Sequence, residues 1–178
     1  MEGHLIVTQL DALEGASYQY VRAARAEVND AYRLAGYILG DATEAQDAVQ
    51  DALVKAWRSW PSLRDPEAFG PWFERIVVNV CRDRLRRHRT LRMVELDDAG
   101  EVESADTFGS MIEGDEVAGA VARLAPDHRI VIALRFWRDL TLEQVAETLD
   151  LPLGTVKSRL HYALRALRTD LKGSGDEA

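Results

Sequence analysis

Apolar residues recur at three- and four-residue steps in the last third of the chain, a period typical of helices that bury one face. Leu142, Val145 and Leu149 form one such face after Thr141, which stands three residues before a glutamine as in a capping box. The period breaks over residues 150–154, which contain a proline and a glycine. A second stripe follows at Val156, Leu160, Ala163, Leu164, Leu167 and Leu171. The pattern predicts two helices joined by a tight turn, as in a helix-turn-helix.

The opposite face of the second helix is polar. Its side chains are Thr155, Lys157, Ser158, Arg159, His161, Tyr162 and Arg165. Such groups bond to phosphates and base edges, and a helix-turn-helix inserts the first turns of its second helix into the major groove. Gly154 and Thr155 at that end would let the backbone approach a phosphate closely. These residues predict binding to duplex DNA, with a solvated face on an ordinary helical hairpin as the alternative.

The first half of the chain predicts further helices. Residues 1–16 have weak periodicity and are expected to form a short, poorly defined extension. Small and apolar positions recur over residues 17–39 and predict one or two helices that end at Gly40. Asp41 and Thr43 are both candidate N-caps for the next helix, which runs to about residue 60.

The polar face of that second helix contains Asp47, Gln50 and Asp51 within one turn of each other. Carboxylates near the start of a helix complement its dipole, so these residues by themselves favour an ordinary solvated surface.

A third, long helix is predicted to start at Pro66, a residue that suits the first helical position. Its apolar stripe is Phe69, Trp72, Phe73, Ile76, Val77 and Val80, and its last turns read LRRHR. Aromatic residues followed by arginines are typical of proteins that bind single strands. Aromatic residues at helical spacing are more often part of a core, so both interpretations stay open.

After Arg92 the pattern becomes acidic, rich in small residues and aperiodic. A stretch of about 25 such residues is too long for a loop within one compact domain. The sequence therefore predicts an all-α protein with two small helical domains joined by a flexible acidic linker, the second carrying the helix-turn-helix. The expected boundaries are an extension over 1–16, a first domain over 17–92, a linker over 93–114, a second domain over 115–172 and a tail over 173–178.

The net charge of −8 argues against a nucleic-acid binder until its distribution is considered. Residues 81–92 hold six arginines against one acid, and residues 154–172 hold five basic residues against one acid. Residues 93–121 hold nine acids and no lysine or arginine. The average charge therefore conceals two basic patches that flank an acidic spacer.

Other chemistry is not indicated. No apolar run approaches the ~20 residues that span a bilayer, and the N-terminus lacks the features of a secretion signal, so we expect a cytoplasmic protein without membrane insertion. The single cysteine, Cys81, lies in an apolar helical pattern and is expected to be a small buried residue. We find no Gly-rich phosphate loop, no metal-ligand spacing among the histidines and no nucleophile with an evident base. We therefore expect no enzyme activity, catalytic residue, metal or cofactor.

Three blocks in this order resemble the extracytoplasmic-function sigma factors, small two-domain sigma subunits of bacterial RNA polymerase. The blocks are DATEAQDAVQDALVKAW, PEAFGPWFERIVVNVCRDRLRR and LAPDHRIVIALRFWRDLTLEQVAETLDLPLGTVKSRL. The resemblance covers nearly the whole chain. It implies that Asp47, Gln50 and Asp51 dock on the coiled coil of the β′ clamp, replacing the interpretation as plain surface. The β flap, promoter DNA and an anti-sigma factor are the other partners that it implies.

The resemblance also implies two DNA surfaces. The third helix and the loop before it match the element that captures the minus-10 non-template strand and flips a base into a pocket. The matching residues are Leu63, Phe69 and Asn79, with Arg82, Arg86 and Arg87 near the backbone. The helix-turn-helix matches the reader of the minus-35 duplex, although family members often have arginine where Tyr162 stands, which leaves the sequence preference open. The linker matches a segment near the path of the transcript, as a phosphate mimic or as a simple tether.

The resemblance implies promoter-specific initiation by the polymerase. A free-standing helix-turn-helix regulator is the alternative function. Such a regulator would bind duplex DNA without polymerase and would leave Asp47, Gln50 and Asp51 without a role.

Overall fold

The computed structural model describes residues 2–95 and 116–174, and throughout these ranges the regular structure is helical, as predicted. Most of the predicted linker and the end of the tail lie outside the described residues. The N-terminal lobe comprises α1 (Glu2–Leu39), α2 (Ala42–Ser59) and α3 (Phe69–Glu95). The C-terminal lobe comprises α4 (Glu116–Ala122), α5 (Pro126–Ile132), α6 (Leu142–Leu149) and α7 (Leu153–Ser174). A π-helical turn, Ala133–Trp137, continues α5.

Helix α1 starts at Glu2, so the expectation of a poorly defined extension over residues 1–16 is wrong. The segment has no proline, and its glycines are isolated. Adding residues to an existing helix is far easier than nucleating a new one. Weak amphipathic periodicity therefore does not prevent this segment from extending the helix that packs over residues 17–39.

Helix α2 is capped by Asp41, whose Oδ1 accepts the backbone N–H of Glu44 at 2.7 Å. The other candidate cap, Thr43, lies inside the first turn of the helix. Helix α3 starts at Phe69 and not at Pro66, because Pro66–Ala68 forms a 3₁₀ turn capped by Asp65.

Buried side chains of both lobes form one continuous cluster. Leu34 and Phe73 of the N-terminal lobe and Leu134 and Val145 of the C-terminal lobe belong to it, each at most 1% exposed. The two domains predicted from the linker are therefore packed against each other in this structure. Cys81 is buried in the same cluster, as predicted, and burial raises the pKa of its thiol to about 12.

Candidate DNA and polymerase interfaces

The helix-turn-helix is built by local hydrogen bonds that the sequence predicted in part. Thr141 and Gln144 form the expected capping box: the Thr141 N–H donates to Oε1 of Gln144 at 2.8 Å, and the Gln144 N–H donates to Oγ1 of Thr141 at 3.2 Å. Asp150 ends α6 in the left-handed region, with φ of 52°. Helix α7 begins at Leu153, so the last two residues of the break predicted over 150–154 belong to the helix, and Gly154 lies in its first turn, at the end predicted to approach a phosphate.

The polar face of α7 is accessible along the stripe predicted to meet DNA. Lys157, Ser158, His161 and Arg165 are exposed, and Thr155 is partly exposed. The Oγ of Ser158 donates to the carbonyl of Thr155 at 2.9 Å, so this hydroxyl is already oriented by its own helix. Val156 and Ala163, on the opposite face, are completely buried.

Arg159 differs from its neighbours on α7. Its Nη2 lies 2.8 Å from Oδ2 of Asp127 on α5, and only 23% of its side chain is exposed. This ion pair ties α7 to α5 and fixes the direction of the guanidinium. In this structure Arg159 is therefore paired within the protein, unlike its exposed neighbours Lys157 and Ser158.

Tyr162 lies within an aromatic group beside the same face. Its ring is stacked near that of His128, with centroids 6.5 Å apart, and meets His161 edge-on at 5.6 Å. More than half of the Tyr162 side chain remains exposed. A tyrosine held in this way offers DNA one hydroxyl and an apolar ring instead of the two parallel donors of an arginine.

On α2, the residues predicted to bind polymerase fall into two kinds. Asp47 and Gln50 are exposed. Asp51 accepts a hydrogen bond from Nη2 of Arg84 at 2.7 Å, and Nη1 of the same arginine donates to Glu44 at 2.9 Å. Burial alone would lower the pKa of Arg84, but its hydrogen bonds and the two carboxylate charges outweigh burial and raise it. Asp51 is therefore part of the α2–α3 contact as well as of the α2 surface.

The residues predicted to meet the minus-10 strand are divided between surface and core. Asn79, Arg86 and Arg87 are exposed on α3, and Leu63 is partly buried against the core. Phe69 is only 2% exposed and stacks on Phe73 with ring centroids 5.3 Å apart. In this structure such burial excludes a direct contact of Phe69 with DNA, because the rings of four other aromatic residues lie 5.3–6.0 Å from its own.

Asn79 lies in an open cleft between α2 and α3 of about 360 Å³. The other residues that line it are Lys55, Arg58, Ser59 and Ile76. Sequence reasoning missed the two cations. Their spacing of three on α2 places them on one face, but the sequence does not show that this face adjoins Asn79.

Arg82 does not point into that cleft. Its Nη1 donates to the carbonyl of Leu149, the last residue of α6, at 3.1 Å. A residue predicted to lie near the minus-10 DNA backbone is thus bonded to the helix-turn-helix of the other lobe.

Two other kinds of site, a metal centre and a membrane span, are not found in residues 2–95 and 116–174. No group of three or more His, Cys, Asp and Glu side chains there could hold a metal ion. Among the same residues, every helix is too short or too polar to cross a membrane.

Comparison with known proteins gives matches for both lobes. Residues 23–90 match the Sigma-70 region 2 family, and residues 120–169 match the family of Sigma-70, region 4. Over 154 residues, the chain is 34% identical to the ECF RNA polymerase sigma factor SigL of Mycobacterium tuberculosis, with 81% of this chain and 84% of SigL covered. It is also 34% identical over 142 residues to the RNA polymerase sigma factor SigV of Bacillus subtilis, with 80% and 84% covered.

Solved structures show the same fold. The sigma factor RpoE of Bartonella quintana, in complex with the anti-sigma factor NepR, has a TM-score of 0.68 at 23% identity and covers 86% of this chain and 96% of that chain. CnrH, in complex with the cytosolic domain of CnrY, has a TM-score of 0.56 at 24% identity and covers 88% and 96%. With both Sigma-70 regions in order and relatives of this similarity, the chain belongs to the extracytoplasmic-function RNA polymerase sigma factors.

Proposed function

We propose that this chain binds core RNA polymerase and directs it to promoters, with α7 on the minus-35 duplex and the α2–α3 surface on the minus-10 non-template strand. The observation that carries the proposal is the presence of both Sigma-70 regions, each with an exposed polar surface on its matched residues. A free-standing helix-turn-helix regulator would account for residues 120–169 but not for the match over residues 23–90. In this role the chain supplies recognition and the polymerase supplies catalysis, so the chain itself is not an enzyme.

At the minus-35 element, Lys157, Ser158 and His161 are proposed to contact the major groove from the first turns of α7. Gly154, Thr155 and Arg165 are proposed to lie beside phosphates. Arg159 is proposed to contribute from the position in which it pairs with Asp127, whose Oδ2 lies 2.8 Å from Nη2 of Arg159. Tyr162 cannot form the bidentate pair that arginine forms with guanine, so we expect a different base preference where its ring meets the groove.

At the minus-10 element, the cleft beside Asn79 is proposed to receive an unstacked base. Lys55 and Arg58 at its rim add positive charge for the strand backbone, and Asn79 offers both donors and acceptors to a base edge. Extruding a base costs a few kcal/mol, so a pocket that retains it favours the open duplex. Arg86 and Arg87 extend the positive surface along α3, and Leu63 contributes from the preceding loop.

Polymerase is proposed to dock on the exposed face of α2, mainly through Asp47 and Gln50. Asp51 contributes there too, but it also pairs with Arg84, so a substitution at Asp51 would disturb the fold as well. The C-terminal lobe is proposed to meet the β flap. An anti-sigma factor completes the proposed partners, since the sigma factor RpoE, which has the same fold, was solved in complex with the anti-sigma factor NepR. All of these contacts take place in the cytoplasm.

The test is reconstituted transcription with catalytic core polymerase and genomic templates, using two variants that control for each other. Asp47→Arg should abolish coelution with core polymerase on size exclusion. Lys157→Ala should leave coelution unchanged and weaken the upstream footprint of the holoenzyme about tenfold, as expected for losing a phosphate or base contact. Loss of coelution in both variants would refute the division between the surfaces. No run-off transcript above that of core polymerase alone, from any template, would refute the proposed function.

A further inference from the structure

The N-terminal lobe contains an acidic notch between α1 and α3, formed by Glu27, Asp30 and Glu74. Glu74 is only 8% exposed and is the one buried charged residue among those whose burial is described. Burying a carboxylate without a partner is strongly unfavourable. The notch therefore requires a cation.

Gly70, in the first turn of α3, shapes one side of this notch. A Cβ atom at this position would lie 3.1 Å from Oε1 of Glu27, closer than such contacts normally are. The absence of a side chain there gives the Glu27 carboxylate room beside Glu74. Three carboxylates then surround a small space, which concentrates negative potential.

The cation is supplied by the other lobe. Arg138 follows the π-helical turn of the C-terminal lobe; its Nε donates to Oε2 of Glu74 at 2.5 Å, and its Nη1 donates to Oδ2 of Asp30 at 3.1 Å. Burial lowers the pKa of Arg138, but the bonds and charges of Glu74 and Asp30 outweigh burial and raise it. The planar fork of a guanidinium suits two acceptors on different helices better than an ammonium would.

Other contacts hold the lobes together around this ion pair. The Tyr37 and Trp137 rings lie 5.3 Å apart. Arg129 of α5 donates to the carbonyl of Ile38 at 3.2 Å, and Arg82 donates to that of Leu149 at 3.1 Å. The contact thus includes a residue predicted to meet minus-10 DNA.

We propose that the notch of Glu27, Asp30 and Glu74 is a guanidinium-binding site whose ligand is Arg138, and that this pairing holds the chain closed, in a form that cannot occupy a whole promoter. The consequence for promoters rests on the proposed function. Elements centred about 25 base pairs apart lie roughly 85 Å apart along the duplex, at ~3.4 Å per pair. Lobes joined by direct hydrogen bonds cannot span that distance, so Arg138 must leave the notch before both elements are bound.

The test compares Arg138→Gln with Arg135→Gln. Arg135 lies in the π-helical turn just before Arg138, and its Nη1 pairs within its own lobe with Oδ1 of Asp139 and the carbonyl of Leu140, each at 3.4 Å, so it provides the matched control. Spin labels attached at Gln46 and Thr169, both exposed, report the distance between the lobes by pulsed electron paramagnetic resonance. We expect one narrow distance for the unsubstituted chain and for Arg135→Gln, and a broad, longer distribution for Arg138→Gln. The ratio of closed to open molecules should fall about tenfold, which corresponds to about 1.4 kcal/mol.

Asp30→Asn provides a milder second variant, because half of the Asp30 side chain is exposed and its loss should leave the lobe folded. It should shift the distances in the same direction, and combining it with Arg138→Gln should add little. A narrow, unchanged distance in Arg138→Gln with normal helix content by circular dichroism would overturn the proposal. So would fully additive effects of the two substitutions. These measurements need no polymerase, so their failure is distinct from failure of the proposed function.

Discussion

At the scale of single residues, arginines of α3 that are close in sequence have different roles: some bind other helices and others are exposed. Arg84 bonds to Glu44 and Asp51 with only 16% of its side chain exposed, whereas Arg86 is 72% exposed. We expect Arg84→Met to lower the free energy of unfolding by about 1–3 kcal/mol, because two carboxylates lose a partly buried donor. Arg86→Met should stay within about 0.5 kcal/mol. Urea unfolding followed by circular dichroism measures both, and equal losses would contradict the assigned roles.

The sequence identifies the arginine-rich end of α3 but does not show which of these arginines bind another helix and which face solvent. Helical spacing gives the face on which a residue lies, and the role of that face depends on which helix crosses it. Arg84 meets α2, and Arg82 meets α6, and neither contact leaves a signal in the local pattern. The sequence is equally ambiguous for Phe69, because an aromatic residue suits both a DNA-binding surface and the core in which Phe69 is buried.

At the scale of elements, the start of α2 provides a discriminating prediction because the sequence offered two caps. Asp41→Ala should cost about 1 kcal/mol of stability, the usual effect of losing an N-cap side chain, since Oδ1 of Asp41 accepts the Glu44 N–H. Thr43→Ala should be close to neutral, because Thr43 is exposed inside the helix and is not the cap. Thermal unfolding of the two variants measures the difference, and a larger loss for Thr43→Ala would show that the cap is misassigned.

Elements with strong local sequence signals were predictable. Segments that only extend or continue a neighbouring helix were not. The capping box at Thr141 and the break in period around Pro152 correctly predict two helices and a turn. The long N-terminal part of α1 was missed because it continues a packed helix and has little period of its own. The π-helical turn Ala133–Trp137 was also missed, because its sequence is that of an ordinary helix. That turn directs Trp137 and Arg138 towards the other lobe.

At the scale of the whole molecule, the association of the lobes could not be predicted from the sequence. An acidic linker of the expected length permits two domains to be separate or joined, and overall charge does not decide between them. The decision rests on specific pairs such as Arg138 with Glu74, which lie far apart in the chain. The prediction of two helical domains is therefore compatible with a structure in which both lobes contribute to a shared core.

The core that both lobes share has a thermodynamic consequence that calorimetry can measure. We expect the chain to unfold in one transition whose calorimetric and van't Hoff enthalpies agree. Trp137→Ala removes the ring that faces Tyr37 and should reduce stability by about 1–3 kcal/mol, less than the 3–5 kcal/mol of a fully buried aromatic. It should also separate the melting of the two lobes. Phe136→Ala, in the same turn but 57% exposed, should retain one transition with a smaller shift. One transition and equal shifts in both variants would mean that Trp137 does not couple the lobes.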